Sequence, residues 1–296
     1  MNKEMRGVIP CKKKILVIGD LHGDYNTTIK CLYKAGVIAK GVTKNGIIIK
    51  DVKWIGGNTV IVQMGDQIDR GGRGFNIKDE NSDLRIINLF ADLHLQAIMV
   101  GGGVYSLIGN HELMNVMGNF DYVSPLGISE YGGELNRYNM FKPGGMIARL
   151  LSERFIILKI GKWIFVHGGI SIKLLKKYSI ADINILMKTY LQGNINLEND
   201  TKFKRMFLRH DSFLWNRKMA KKNPDCNQIY KSLTMLGSSF IVIGHTPQEE
   251  GINCKCNGSL WRVDTGMSKA FGHGSEDKMQ ILEILNDGEN VHIINI

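Results

Sequence analysis

Lys14-Ile15-Leu16-Val17-Ile18-Gly19-Asp20-Leu21-His22-Gly23-Asp24 carries an unbroken apolar run straight into a glycine, two carboxylates and an imidazole. A continuous apolar run of this length, ending in Gly-Asp, predicts a β-strand. Residues 27–35 then place Ile29, Leu32 and Tyr33 at helical spacing, so the segment reads strand, polar loop, helix. That unit predicts an α/β fold with its chemistry at the carboxyl ends of the strands.

Four further apolar runs end in the same manner. Residues 59–64 lead into Gly65-Asp66-Gln67-Ile68-Asp69-Arg70-Gly71, 104–108 into Gly109-Asn110-His111-Glu112, 163–166 into His167-Gly168-Gly169, and 240–243 into Gly244-His245-Thr246. Gly161-Lys162 turns 155–160 back onto 163–166 as a hairpin, and 260–263, 279–285 and 291–296 complete the sheet. Asn45-Gly46 and Gly56-Gly57 bracket a further hairpin around 47–55, and 83–100 has the periodicity of an amphipathic helix ended by glycines 101–103. Residues 113–150, rich in Gly, Asn and Tyr with weak periodicity, predict an irregular insertion over one end of the sheet, and 171–236 predict a helical cap with Ser179 as an N-cap. Together these elements predict an α/β sandwich formed as one domain over residues 1–296, with insertions at about 113–150 and 171–236.

With 296 residues, 44% of them apolar, the chain is long enough to bury a substantial core. Its net charge of +10 favours acidic partners without choosing among them. The basic residues are dispersed, with short clusters at 12–14, 202–205 and 217–222 and no interleaved aromatics, so a nucleic-acid groove is not expected. Five cysteines, odd in number and mostly isolated, predict free thiols in a reducing compartment, with Cys254 and Cys256 in a turn. The apolar run 15–18 is too short for a signal peptide, and no run approaches the roughly 18 apolar residues of a membrane span. A soluble, cytoplasmic protein is the expectation.

The five polar motifs supply ligands for two divalent metals. Asp20 and His22 alternate with Leu21, so both side chains project to one side of an extended segment. Asp66 can bridge two metals through its two oxygens, and Asn110, His167 and His245 complete the second position. Mixed nitrogen and oxygen ligands suit Mn, Fe or Zn better than Ca. A metal pair lowers the pKa of a bridging water from ~15.7 towards neutrality and clamps an in-line displacement at phosphorus, so metal hydroxide is the expected nucleophile. His111 follows the ligand Asn110 and can protonate the leaving oxygen; Asp69 can orient and charge that imidazole. Arg70 offers a bidentate fork for phosphate oxygens, with Arg217 as a candidate second arginine.

These motifs resemble those of the calcineurin-like metallophosphoesterases, and of the phosphoprotein phosphatase type in particular, through Asp69-Arg70-Gly71, 109–112 and 167–169. The resemblance spans residues 19–246 and implies a sandwich of two mixed β-sheets flanked by helices around a dinuclear site. It implies metal ligation by Asp20, His22, Asp66, Asn110, His167 and His245, proton donation by His111 with Asp69, and phosphate binding by Arg70. Asp24 stands where the eukaryotic Ser/Thr phosphatases have Gln, and Ile108 where they have Arg before Gly-Asn-His-Glu. Residues 110–118, Tyr122-Val123, Leu214-Trp215 and 263–268 resemble the Shewanella-like branch most closely, which implies a phosphoprotein substrate with phosphoserine, phosphothreonine or phosphotyrosine. A symmetrical dinucleoside polyphosphate hydrolase shares two of the patterns; Tyr122, Tyr131, Tyr138 and Phe141 would serve it if they stacked on a nucleobase, against the simpler reading of a packed lid. An inactive scaffold on the same fold is the third reading, disfavoured because every ligand position is filled.

Overall fold

The computed structural model describes residues 7–39, 43–44, 47–48, 51–74, 78–197, 200–272 and 278–296. Its strands are β1 (Val8–Ile9), β2 (Lys14–Ile18), β3 (Thr43–Lys44), β4 (Ile47–Ile48), β5 (Val60–Gln63), β6 (Gly103–Ser106), β7 (Ile157–Ile160), β8 (Trp163–Val166), β9 (Phe240–Ile243), β10 (Asn253–Lys255), β11 (Leu260–Arg262), β12 (Gln280–Leu285) and β13 (Asn290–Asn295). They form a five-stranded sheet in the order β13-β12-β2-β5-β6 and a six-stranded sheet in the order β1-β7-β8-β9-β11-β10. Both sheets are mixed. Strands β2, β5 and β6 run parallel with β12 antiparallel to β2, while β8, β9 and β11 run parallel with antiparallel neighbours at β7 and β10. A hairpin is present before β5 but not around 47–55 as expected: β3 pairs antiparallel with β4, and Asn45-Gly46 lies outside the described residues.

Strand alternation sorts the apolar side chains into three cores. Leu16 and Ile18 of β2 join Ile61, Val104 and Ile281 under α1 (Tyr25–Lys34) and α2 (Asp83–Ile98). Ile15 and Val17 point the other way and pack with Val60, Val62 and Ile284 against Leu158, Ile160, Phe165 and Val242 of the opposing sheet. The outer face of that sheet, through Ile157, Ile164, Val166, Ile241 and Ile243, is the third core. The remaining helices are α3 (Asn110–Val116), α4 (Pro125–Ser129), α5 (Glu134–Phe141), α6 (Met146–Leu151), α7 (Ile172–Leu175), α8 (Ile180–Leu191), α9 (Thr201–Phe207) and α10 (Cys226–Leu236), and all but α4 supply buried side chains to it. The result is a helix, sheet, sheet, helix sandwich, and burial of β2 on both faces accounts for its continuous apolar sequence. Ser179 caps α8 in a reciprocal box with Asp182, and Asp24 caps α1 by accepting from the Thr27 amide.

Three expectations need correction. Residues 113–150 are not irregular throughout but carry the short helices α4, α5 and α6 joined by turns; these have five, eight and six residues, too short to show a period through the intervening glycines. Residues 171–236 are helical as expected, yet α8, α9 and α10 pack on the outer face of the six-stranded sheet rather than capping its strand ends. Finally, Cys226 and Cys256 form a disulfide across 30 residues, with Cα atoms 5.3 Å apart. Cys256 occupies the β10–β11 turn in a left-handed conformation (φ 54°), which brings it to the first residue of α10, an approach that sequence spacing does not reveal. With that bridge present, the reducing compartment inferred from the cysteine count loses its premise; Cys11, Cys31 and Cys254 are free. Among the described residues no helix is long and apolar enough to cross a membrane.

Candidate active site

All five polar loops meet at one edge of the sandwich, beyond the carboxyl ends of β2, β5, β6, β8 and β9. Leu21 and His22 donate their amides to the Asp66 carbonyl at 3.0 and 2.9 Å, tying the first loop to the second. Glu112 ties the second to the third, accepting from the amides of Asp66, Gln67 and Gly109 at 2.9, 2.8 and 2.7 Å. Gly109 must be glycine, because a Cβ there would collide with the Asp66 carboxylate and amide. His22, Asp66, Asp69 and His245 all have positive φ without being glycine. Each such residue costs of order 1–3 kcal/mol, and the packed loops around them hold it.

Asp66 is the hub. Its Oδ2 lies 3.8 Å from His22 Nε2, 3.9 Å from His111 Nε2 and 3.3 Å from His167 Nε2. Two ligand triads share it: His22, Asp66 and His111, and Asp66, His167 and His245, each with its ligand atoms within 4.8 Å. His167 donates Nδ1–H to the Met64 carbonyl at 2.8 Å, which leaves Nε2, 3.0 Å from Asn110 Oδ1, as the ligand nitrogen. Asp20 accepts from the His245 amide at 2.9 Å and keeps Oδ1 unpartnered. Of the expected first ligand set, His22 and Asp66 converge directly, and His111 rather than Asp20 stands third in their triad.

The electrostatics of the site ask for cations. Burial, then the Asp264 and Asp66 charges, push the Asp20 carboxyl well above its ordinary range. Burial also raises Asp264, to about 6, and its Oδ2 has no hydrogen-bond partner. Burial, then Arg73 and His111, drive His22 well below 6.5; burial, then His167 and Arg217, take His245 to about 2, and its buried Nε2 is unpartnered. Crowded carboxylates beside neutral imidazoles, with Asp20 Oδ1, Asp264 Oδ2 and His245 Nε2 left without a partner, fit divalent metal ions. Asp264 falls within the 263–268 stretch, and its place in the site is a feature of the fold that the sequence does not reveal.

His111 donates from Nδ1 to Asp69 Oδ2 at 2.8 Å, the expected pairing. Burial opposes its charge, yet Asp66 and Asp69 outweigh that and raise its pKa. Asp69 also accepts from Asn115 Nδ2 at 2.9 Å and lies 3.4 Å from Arg137 Nη2. Arg137 is fully buried and spends its other donors on Asn115 Oδ1, the Gly127 carbonyl and Asp83 Oδ2, each at 2.8 Å. Nothing in the sequence marks Arg137, and Asn115 lies in the 110–118 stretch without a role read from it, because their importance is tertiary. Arg137→Ala leaves Asp69 and Asp83 buried without their cation and is expected to cost about 3–5 kcal/mol, read as a lower urea midpoint at unchanged slope. Beside them, burial and then Asp83 raise Glu130 from 4.5 to about 7. The folded state then binds this proton more tightly than the unfolded chain, so stability falls as pH rises from 4.5 through 7. Glu130→Gln should flatten that fall, measured by denaturation at pH 5 and 8.

Arg70 departs from its expected place. It is 3% exposed, with Nη1 donating to the Gly23 carbonyl and Glu80 Oε1 at 2.7 Å and Nη2 3.8 Å from Asp24. The guanidinium that reaches the imidazoles is Arg73, unnoticed in the sequence, with Nη2 2.8 Å from His22 Nδ1 and 3.4 Å from His111 Nε2. Arg217 stands beside the second triad, donating to the His245 carbonyl at 2.7 Å and Thr246 Oγ1 at 2.9 Å. Tyr122, Phe271 and Trp215 meet His111, His22 and His245 edge-on at 4.9, 5.3 and 5.9 Å and frame the site.

Residues 13–249 match the family model of the calcineurin-like phosphoesterases. The chain is 33% identical over 239 residues to an uncharacterized protein of Acanthamoeba polyphaga mimivirus, covering 67% of this chain and 94% of that one. It is 31% identical over 270 residues to Shewanella-like protein phosphatase 1 of Plasmodium berghei, covering 88% and 69%. In fold it is similar to a cold-active protein-tyrosine phosphatase of a psychrophilic Shewanella, with a TM-score of 0.75 and 21% identity over 100% of this chain and 85% of that one. On the family match and these identities, the chain belongs to the calcineurin-like phosphoesterase family.

Proposed function

We propose that this metal-dependent phosphoester hydrolase is a phosphatase of phosphoproteins. The observation that carries the reading is Asp66, shared by two ligand triads whose atoms lie within 4.8 Å of one another. Asp20, His22, Asp66, Asn110, His167 and His245 would hold the two metals, with Mn, Fe or Zn suited to such ligands. When bound, a metal pair neutralises the phosphate and acidifies water for attack at phosphorus.

The chain's own residues do the rest. Asp69, fixed by Asn115 and Arg137, holds the Nδ1–H of His111, so Nε2 faces the site and gives its proton to the ester oxygen as the P–O bond breaks. Arg217, anchored on His245 and Thr246, lies where it can steady the phosphoryl oxygens. Tyr131 and Phe141 pack 4.9 Å from the Arg137 guanidinium, which commits them to the interior and supports the packed lid over a nucleobase platform. Hydrolysis of a phosphotyrosine peptide, a phosphoserine peptide and diadenosine tetraphosphate by metal-stripped enzyme resupplied with Mn tests the reading. Turnover of a peptide supports it, and turnover of the dinucleotide alone overturns it in favour of a polyphosphate hydrolase.

A further inference from the structure

We propose that Arg73 supplies a guanidinium to the substrate phosphate on the His22 and His111 side of the site, an assignment that rests on the phosphatase reading of this site. Arg70 is nearly inaccessible, its Nη1 donates to the Gly23 carbonyl and Glu80, and its Nη2 lies 3.8 Å from Asp24. Turning it to a ligand would leave the buried Asp24 and the partly exposed Glu80 without that cation.

Arg73 has the opposite setting. Its hydrogen-bond partners are two carbonyls and His22 Nδ1, none of them a carboxylate, and His111 Nε2 lies 3.4 Å from its Nη2. Nη1 donates to the Asp69 and Gly71 carbonyls at 2.9 Å each, which anchors one edge of the fork. The other edge, Nη2, lies between His22 and His111. A guanidinium can only donate, and an imidazole that has given Nδ1–H to Asp69 can present its Nε2 proton to an oxygen. An oxyanion placed among these nitrogens would accept from Arg73 and His111 together. Arg73 therefore faces the reacting group that His111 serves.

The position of Arg73 is built rather than incidental. Its guanidinium carbon sits 5.2 Å from the Tyr122 ring and 5.1 Å from the Phe271 ring, two faces that fix the plane of the fork. Those rings themselves contact His111 and His22. Gly72 (φ 74°) lets the loop pass so close to the 121–122 backbone that a Cβ would collide with the Asp121 carbonyl, and the Gly71 amide donates to the Tyr122 carbonyl at 2.8 Å. Loop, aromatic pair and imidazoles thus set Arg73 as one unit.

The test uses inorganic phosphate as the probe on metal-loaded protein, by calorimetry and as a competitive inhibitor. Arg73→Gln, which keeps an amide donor for the loop carbonyls, should weaken phosphate binding and raise KM by about tenfold to a hundredfold, the loss of a hydrogen bond to a charged group. Metal content and thermal unfolding should match wild type, and Arg73→Lys should recover part of the binding by charge without the fork. Wild-type phosphate affinity in Arg73→Gln would overturn the assignment, as would loss of metal in that variant, which would make Arg73 a support for His22. Failure of the wild-type protein to bind phosphate or hydrolyse any phosphoester would instead overturn the phosphatase reading beneath it.

Discussion

Asp66→Asn should empty both metal positions and lower turnover by on the order of 10³ or more, since the metals supply several kcal/mol of transition-state stabilisation and each tenfold in rate is ~1.4 kcal/mol. Asp66 is the one residue common to the two triads. Asparagine keeps an oxygen to accept the His111 amide now bonded to Asp66 Oδ1 at 3.0 Å, so the loops need not rearrange. It removes the charge and the second oxygen, and with them the ability to hold two cations. Metal analysis of the purified variant with kinetics on a phosphopeptide reads the effect. Two metals per chain with wild-type turnover would remove Asp66 from the bridging position.

His111→Ala is expected to lower kcat by about 10² to 10⁴ on an ester with a poor leaving group, with metal content unchanged. The penalty should shrink on an aryl phosphate whose leaving oxygen needs no proton. The structure makes this a sharp test, because His111 stands in the same triad as His22 and Asp66 and could serve as a ligand instead. Its Nδ1 bond to Asp69, braced by Asn115 and Arg137, is the arrangement of an oriented proton donor. Loss of one metal in the variant would assign His111 to ligation, and an equal penalty on both ester types would deny it the proton.

The strands were legible because β2, β5, β8 and β9 are buried on both faces and so carry runs of Val, Ile and Leu that stop at a polar turn. The same stops marked Asp20, Asp66, Asn110, His167 and His245, whose loops the structure brings to one edge. What the sequence hid is set by contacts between distant segments. Arg137 is 68 residues from Asp69, and its helix gives no hint that a fully buried cation braces the His111–Asp69 pair. Arg70 and Arg73 differ by one turn of a glycine-rich loop, and only the positions of Glu80 and Tyr122 decide which of them enters the site. Asp24 reads as a departure from a motif until its two oxygens are seen capping α1 and accepting the Lys269 amide. The disulfide joins a helix start to a hairpin turn, a proximity made by the packing of α10 against the six-stranded sheet.

The most direct test of the account is metal stoichiometry followed through catalysis. Chelator-stripped protein is titrated with Mn while bound metal and phosphopeptide hydrolysis are measured on the same samples. The account predicts two metals per chain at saturation, with turnover absent in the stripped protein and restored as the second site fills. Saturation at one metal with full activity, or hydrolysis undiminished after stripping, would contradict it.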